Sequence, residues 1–208
     1  MQKNHEVYSG VVFRSVQALE REGKSVRSVN LERSYETTLD DLWQAITNKE
    51  RLSRWFLPVS GELSLGGRYT IDGNAVGTII GCVPLNFASV TWEVGEGVNW
   101  VELRMRQLGE KQTQLKLSHI TIFDDHWRKY GPGAVGIGWD LALIGLAVHL
   151  SGDGHARFEE EVFTSSTQGK GYIASMSKDW CRAAIAAGEN LVQAEKVAKL
   201  TAAFYTGE

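Results

Sequence analysis

Three residues of this 208-residue chain join a chemically useful side chain to an apolar pattern: Arg33, His119 and Asp140. In SVRSVNLERSYE, Val29, Leu31, Arg33 and Tyr35 fall on one face by period-two alternation. An arginine there is either an edge residue whose stem snorkels to water or an anion partner facing a cavity. In KQTQLKLSHITIF, Leu115, Leu117, His119 and Thr121 share a face. A histidine so placed is either a core residue with a satisfied hydrogen bond or an acid/base or ligand contact in a cavity. Asp140 stands near the start of an apolar run, where a carboxylate caps or pairs at the positive end of a helix. A catalytic role for it needs a basic partner, and His119 and Arg33 are the expected ones.

Other chemistries lack their patterns. Residues 131–136, GPGAVG, satisfy G-x-G-x-x-G, but that motif cradles a pyrophosphate only within a parallel βαβ unit. Here antiparallel strands precede it and no parallel strand follows. No G-x-x-x-x-G-K-[ST] and no G-x-S-x-G occurs, and no cofactor is expected. Cys82 and Cys181 lie far apart, outside any metal-binding or catalytic spacing. Asp124, Asp125 and His126 sit on a polar stretch with no second ligand cluster, so no metal site is expected. Glu159, Glu160 and Glu161 read as a solvated face.

The elements that position these residues can be traced along the chain. Residues 11–36 read as two strands about a glycine-bearing turn. Thr38 is an N-cap with Asp41 at the third helical position, and Leu39, Leu42, Trp43 and Ile46 follow as a helical stripe. A short second helix over 49–56 ends before Pro58. From Ser60 to Phe123 about six strands alternate with short glycine-bearing or polar turns, which require an antiparallel meander. DDHWRKY (124–130) reads as a polar linker. The run 135–150 is apolar nearly all round but is broken by Asp140 and His149, so a covered core helix is expected rather than a membrane span. HARFEEEVFTSST (155–167) reads as extended or irregular. A helix over about 168–187 follows, with Gly188 just beyond its end. The last helix covers about 189–204, with Leu191, Ala194, Ala198 and Phe204 on its inner side.

Composition narrows the partners. A chain 43% hydrophobic, with seven Trp and three Pro, suffices for one good core or for a domain with an appendage. The net charge of −3 and the absence of a basic block make nucleic acid a poor partner. Two widely spaced cysteines fit a reducing compartment. The N-terminus lacks a signal-peptide pattern, so a cytoplasmic protein is expected.

The order β-α-α, six antiparallel strands, long α resembles the helix-grip fold of the START-related (SRPBCC) superfamily. It is most similar to the bacterial proteins related to the C-terminal domain of the activator of the 90-kDa heat-shock chaperone's ATPase. The resemblance rests on LERSYETTLDDLWQAITNKERLSRWF (31–56), with Trp43, Trp55 and Phe56 in family positions, and on GELSLGGRYTIDGNAVGTI (61–79). Val90-Thr91-Trp92, residues 115–119 (LKLSH), residues 130–133 (YGPG) and Gly138-Trp139 complete it. It covers roughly 25–150. The resemblance implies an α+β fold in which a curved antiparallel sheet wraps around the long helix and encloses a ligand cavity. The expected organisation is an N-terminal arm, an added strand, over 1–24, the helix-grip domain over 25–150, and a helical extension over 151–208 packed on it. Only residues 1–24 precede the core, so the eukaryotic co-chaperone's further N-terminal domain is not expected here and its activity is not carried over.

The leading expectation is therefore a module that binds a small hydrophobic or amphipathic molecule. Its cavity residues are expected to be Arg33, Trp55, Phe56, Phe87, Trp92, Met105, Leu117, His119, Trp139, Asp140 and Leu143, with apolar walls and a few polar groups. The tryptophans and Phe87 serve as well in a core as in a ligand platform. Two alternatives stand beside it. One is a cyclase- or dehydratase-type enzyme using His119. The other is a protein-interaction module, chaperone-related or antitoxin-like, that makes contact or homodimerises through the tail helices. An exposed apolar face on 168–204 would favour the last, and its burial would remove the motive. Fold alone does not decide among these, because one scaffold hosts many activities.

Overall fold

The computed structural model describes residues 10–152 and 157–207. Eight strands form one sheet in the order β1-β2-β8-β7-β6-β5-β4-β3. They are β1 (Val12–Arg21), β2 (Lys24–Tyr35), β3 (Val59–Gly61), β4 (Arg68–Ile71), β5 (Ala75–Val83), β6 (Phe87–Val94), β7 (Gly97–Gly109) and β8 (Gln112–Ile122). The helices are α1 (Leu39–Thr47), α2 (Lys49–Trp55), α3 (Asp125–Tyr130), α4 (Gly133–Leu150), α5 (Glu160–Ser165), α6 (Thr167–Ala186) and α7 (Leu191–Thr206). The α+β helix-grip class expected from the sequence is the class observed. Residues 1–9, the first part of the expected arm, lie outside the described residues, and β1 starts at Val12.

The chain divides into two compact units. One comprises the residues up to Val12, Glu32–His119 and Ala142–Arg157; the other comprises Phe13–Leu31, Ile120–Leu141 and the chain from Phe158 onward.

In the first unit, capping sets the helix starts. The Thr38 hydroxyl accepts from Asp41 N at 3.2 Å, and the Asn48 side chain accepts from Arg51 N at 3.1 Å. Leu42, Trp43, Ala45 and Ile46 are then buried as one stripe of α1. The strands β3 to β7 pair antiparallel in sequence order, as the tight turns require. Gly77 is there for close approach: an added Cβ would meet Thr91 O at 2.0 Å and Tyr69 Oη at 2.7 Å. That space lets Tyr69 donate to Thr91 O at 2.6 Å. The stretch GELSL (61–65) yields less strand than expected, because β3 ends at Gly61 and a turn follows.

In the second unit three sequence expectations are corrected. DDHWRKY is a helix, not a linker. Asp124 caps α3 by accepting from Trp127 N at 2.9 Å, and buried Trp127 anchors it. The stretch read as extended contains α5, which buries Phe163 with its ring 5.7 Å from Tyr172 and 5.2 Å from Phe158. The inner side of α7 is also different. Ala194, Val197 and Thr201 are buried, whereas Leu191 and Phe204 face outward.

The apolar run that opens α4 is covered as expected for a core helix. By length and composition α4 would suffice to cross a membrane, yet 56% of it is buried inside the protein. Gly136 admits the Trp180 ring so closely that a Cβ would lie 2.2 Å from Cε2. The Tyr205 hydroxyl donates to Ala134 O at 3.0 Å, and burial pushes its pKa up to about 12.

Candidate functional site

In the first unit β2 carries Arg33 and Tyr35 on one face by the pleat alternation. Arg33 is only 4% exposed, and β2 lies between β1 and β8, so the snorkelling edge residue is corrected to a buried guanidinium. Its Cζ lies 5.4 Å from the Tyr35 ring centroid. The Gly10 backbone closes over it, since a Cβ at Gly10 would meet Arg33 Nη2 at 2.5 Å. The Tyr35 hydroxyl donates to Leu143 O at 3.4 Å, tying this face of β2 to the second half of α4.

His119 is buried on β8 with its ring edge-on to Trp92, centroids 6.1 Å apart. Burial lowers its pKa to about 4, so the imidazole is neutral at physiological pH. A neutral ring offers one donor and one acceptor and no charge. Met105, Leu117 and Leu143 are buried in the same unit. Trp55 and Phe56 are half-buried at the end of α2, ring centroids 5.5 Å apart, with Trp55 Nε1 donating to Ala45 O. Phe87 stands apart from Trp92. The unbroken β6–β7 register places residues 87 and 92 on opposite faces of β6, and Arg104 covers Phe87 at 4.3 Å.

Asp140 and Trp139 belong to the second unit. Within this unit Asp140 has a basic partner that the sequence did not single out. Arg14 of β1 donates to it from Nε at 3.1 Å and Nη2 at 2.8 Å, and Trp180 Nε1 donates at 2.8 Å. Arg14 also reaches Asp179 at 3.0 Å. Burial pushes the Asp140 carboxyl up, while Arg14 and the Trp180 indole pull it back. Its lone pairs are taken, as a buried carboxylate requires.

A further polar cluster, not singled out in the sequence, closes the end of α4 in the first unit. Arg51 donates to His149 Nε2 at 3.2 Å and to Asp41 Oδ1 at 2.6 Å, and the Thr37 hydroxyl donates to Asp41 Oδ2 at 2.5 Å. Burial and the Arg51 charge lower the His149 pKa. The cluster clasps α1, α2 and α4, and Asp41 and Arg51 are both helix first-turn residues. Among the described residues no group of three His, Cys, Asp or Glu is placed to hold a metal ion. A cavity of about 310 Å³ lies in the second unit and shares no residue with the expected site.

A family model described as "Activator of Hsp90 ATPase homolog 1-like protein" matches residues 36–151, more than half of the chain. None of the curated proteins matches. Among solved structures, the chain is similar to CalU16 from Micromonospora echinospora. Its crystal structure is 27% identical, covering 80% of this chain and 98% of that one with a TM-score of 0.61. Its solution structure is 25% identical, covering 86% and 98% with a TM-score of 0.69. Protein MLL2253 from Mesorhizobium loti shares the fold at 20% identity, covering 62% and 100% with a TM-score of 0.53. The CalU16 likeness extends well beyond the residues that the family model matches.

Proposed function

The chain belongs to the family of activator of Hsp90 ATPase homolog 1-like proteins, and from that premise we propose that it binds a small amphipathic molecule within its first unit. The observation that carries this reading is a buried arginine and a buried neutral histidine, Arg33 and His119, in an interior built largely of aromatic and aliphatic side chains. The guanidinium, with five donors in a fork, suits a carboxylate, phenolate or carbonyl end of the ligand. His119 adds one neutral donor or acceptor. Met105, Leu117, Trp92 and Leu143 would take the apolar body, and half-buried Trp55 and Phe56 its more exposed end. Apolar walls with a few fixed polar groups are the usual make-up of a small-molecule site. Asp140, the carboxylate that an acid–base pair with His119 would need, is engaged by Arg14 and Trp180. That favours binding over a cyclase or dehydratase.

The test uses 1-anilinonaphthalene-8-sulfonate, an aromatic anion. Saturable fluorescence enhancement is expected for the wild type. Loss of one charge-assisted hydrogen bond in Arg33→Gln weakens binding about tenfold, with thermal melting confirming a folded variant. No saturable binding, or equal affinity in folded Arg33→Gln, contradicts the reading.

A second reading, self-association through the tail, is favoured by one observation: Val192, Leu200 and Phe204 on the outer face of α7 are exposed, Phe204 to 77%. Sedimentation equilibrium checks it. A dimer that dissociates in Phe204→Asp supports it, and a monomeric wild type removes it.

A further inference from the structure

The cavity in the second unit lies among α3, the start of α4, α6 and α7. It exists because three alanines, Ala184, Ala194 and Ala198, stand where larger side chains would fill the space. Trp127, Tyr130 and Trp180 supply aromatic wall. Its volume, about 310 Å³, is at the lower end of the ligand-pocket range and suits a molecule of one or two rings. The two aliphatic wall hydroxyls are committed: Ser177 donates to Ala198 O at 2.6 Å and Thr201 to Tyr130 O at 3.0 Å. They retain acceptor lone pairs and offer no further proton. The half-buried Glu189 carboxylate, an acceptor only, and the Arg128 guanidinium, paired with Asp125 at 3.0 Å, also line the cavity, so its charges are of both signs. The walls thus ask for an apolar body and reward a hydrogen-bond donor, and an ionised ligand would lose its hydration against the aromatic and alanine wall.

We propose that this cavity is a second binding site, for a small, flat, neutral aromatic molecule carrying one N–H or O–H donor, of the indole or phenol type. Its ligand class differs from that of the first unit, where a guanidinium suits an anionic or carbonyl end, so the two sites are separable by charge.

Cys181 lines the cavity and Cys82 is exposed in the other unit, so the chain carries its own reporter and control. Alkylation by iodoacetamide is followed at both cysteines by peptide mass spectrometry, at mildly alkaline pH because burial raises the Cys181 thiol pKa. The probes are indole, 2-naphthol and the anion 2-naphthoate. Indole and 2-naphthol are expected to slow Cys181 saturably, about tenfold at ten times the dissociation constant, while Cys82 is unaffected. 2-Naphthoate is expected to protect less than 2-naphthol. Ala198→Leu, which fills the cavity, is expected to abolish protection. The proposal is overturned by three results: no protection by indole or 2-naphthol up to their solubility, equal slowing at both cysteines, or undiminished protection in a folded Ala198→Leu. If that variant fails to fold, the wild-type comparison of Cys181 with Cys82 still decides.

Discussion

The two units bury polar groups in opposite ways. In the second, Asp140 is 1% exposed and its carboxyl, which burial pushes up, is held among fixed partners, a forked arginine and an indole N–H, all within 3.1 Å. In the first, His119 is 5% exposed and burial holds it neutral, with a pKa of about 4. A paired buried charge is a lock: removing one partner strands the other. A neutralised buried base costs little at neutral pH and becomes a liability in acid. The contrast fits a structural Asp140 network and a first interior, with Arg33 and His119, that serves the proposed recognition.

The largest test of this contrast breaks the lock. Asp140→Ala removes the main counter-charge of Arg14, whose side chain is only 11% exposed, and roughly 3–5 kcal/mol of stability is expected to be lost in denaturant melts. A loss below about 1 kcal/mol would place the network with weak surface pairs. The next test titrates the neutralised base. The folded His119 binds its proton less tightly than the unfolded one, so its contribution is complete above about pH 6.5 and is lost as pH falls towards 4. The loss is about 3 kcal/mol over that window. Asp140, raised by burial, acts in the opposite sense, so the difference between wild type and His119→Gln isolates the histidine. Parallel pH profiles for the two proteins would contradict the assignment. A third, smaller effect is expected for Gly136→Ala, whose Cβ would press on the Trp180 ring beside Asp140, costing about 1–3 kcal/mol and altering the near-UV circular dichroism. The smallest is Tyr35→Phe in the first unit, which removes a long hydrogen bond to Leu143 O and is expected to cost under about 1 kcal/mol.

Much of this was legible before any coordinates. The Thr38 cap, the Trp43 stripe and the glycine-marked meander are local patterns, and each formed as expected. The short helices α3 and α5 were not legible from periodicity, because six polar-rich residues hold one buried aromatic each. Asp124 two residues ahead of His126 was the available signal for α3, as an N-cap. Arg14 could not be named as the partner of Asp140, since 126 positions separate them and only the fold joins them. The placement of Phe87 was within reach of the sequence. An odd separation from Trp92 on one strand puts the two on opposite faces. The outward turn of Leu191 and Phe204 shows a weak stripe on α7, where alanines, not large apolar residues, make the inner surface.

The most direct test of a recognition role for the first unit is native mass spectrometry of the protein purified from its own host with no ligand added. The account predicts a retained small molecule that is lost in folded Arg33→Gln and kept in Ala198→Leu. A wild-type protein with no adduct and no affinity for the anilinonaphthalene probe would contradict it, as would an adduct indifferent to Arg33 and lost only when the second cavity is filled.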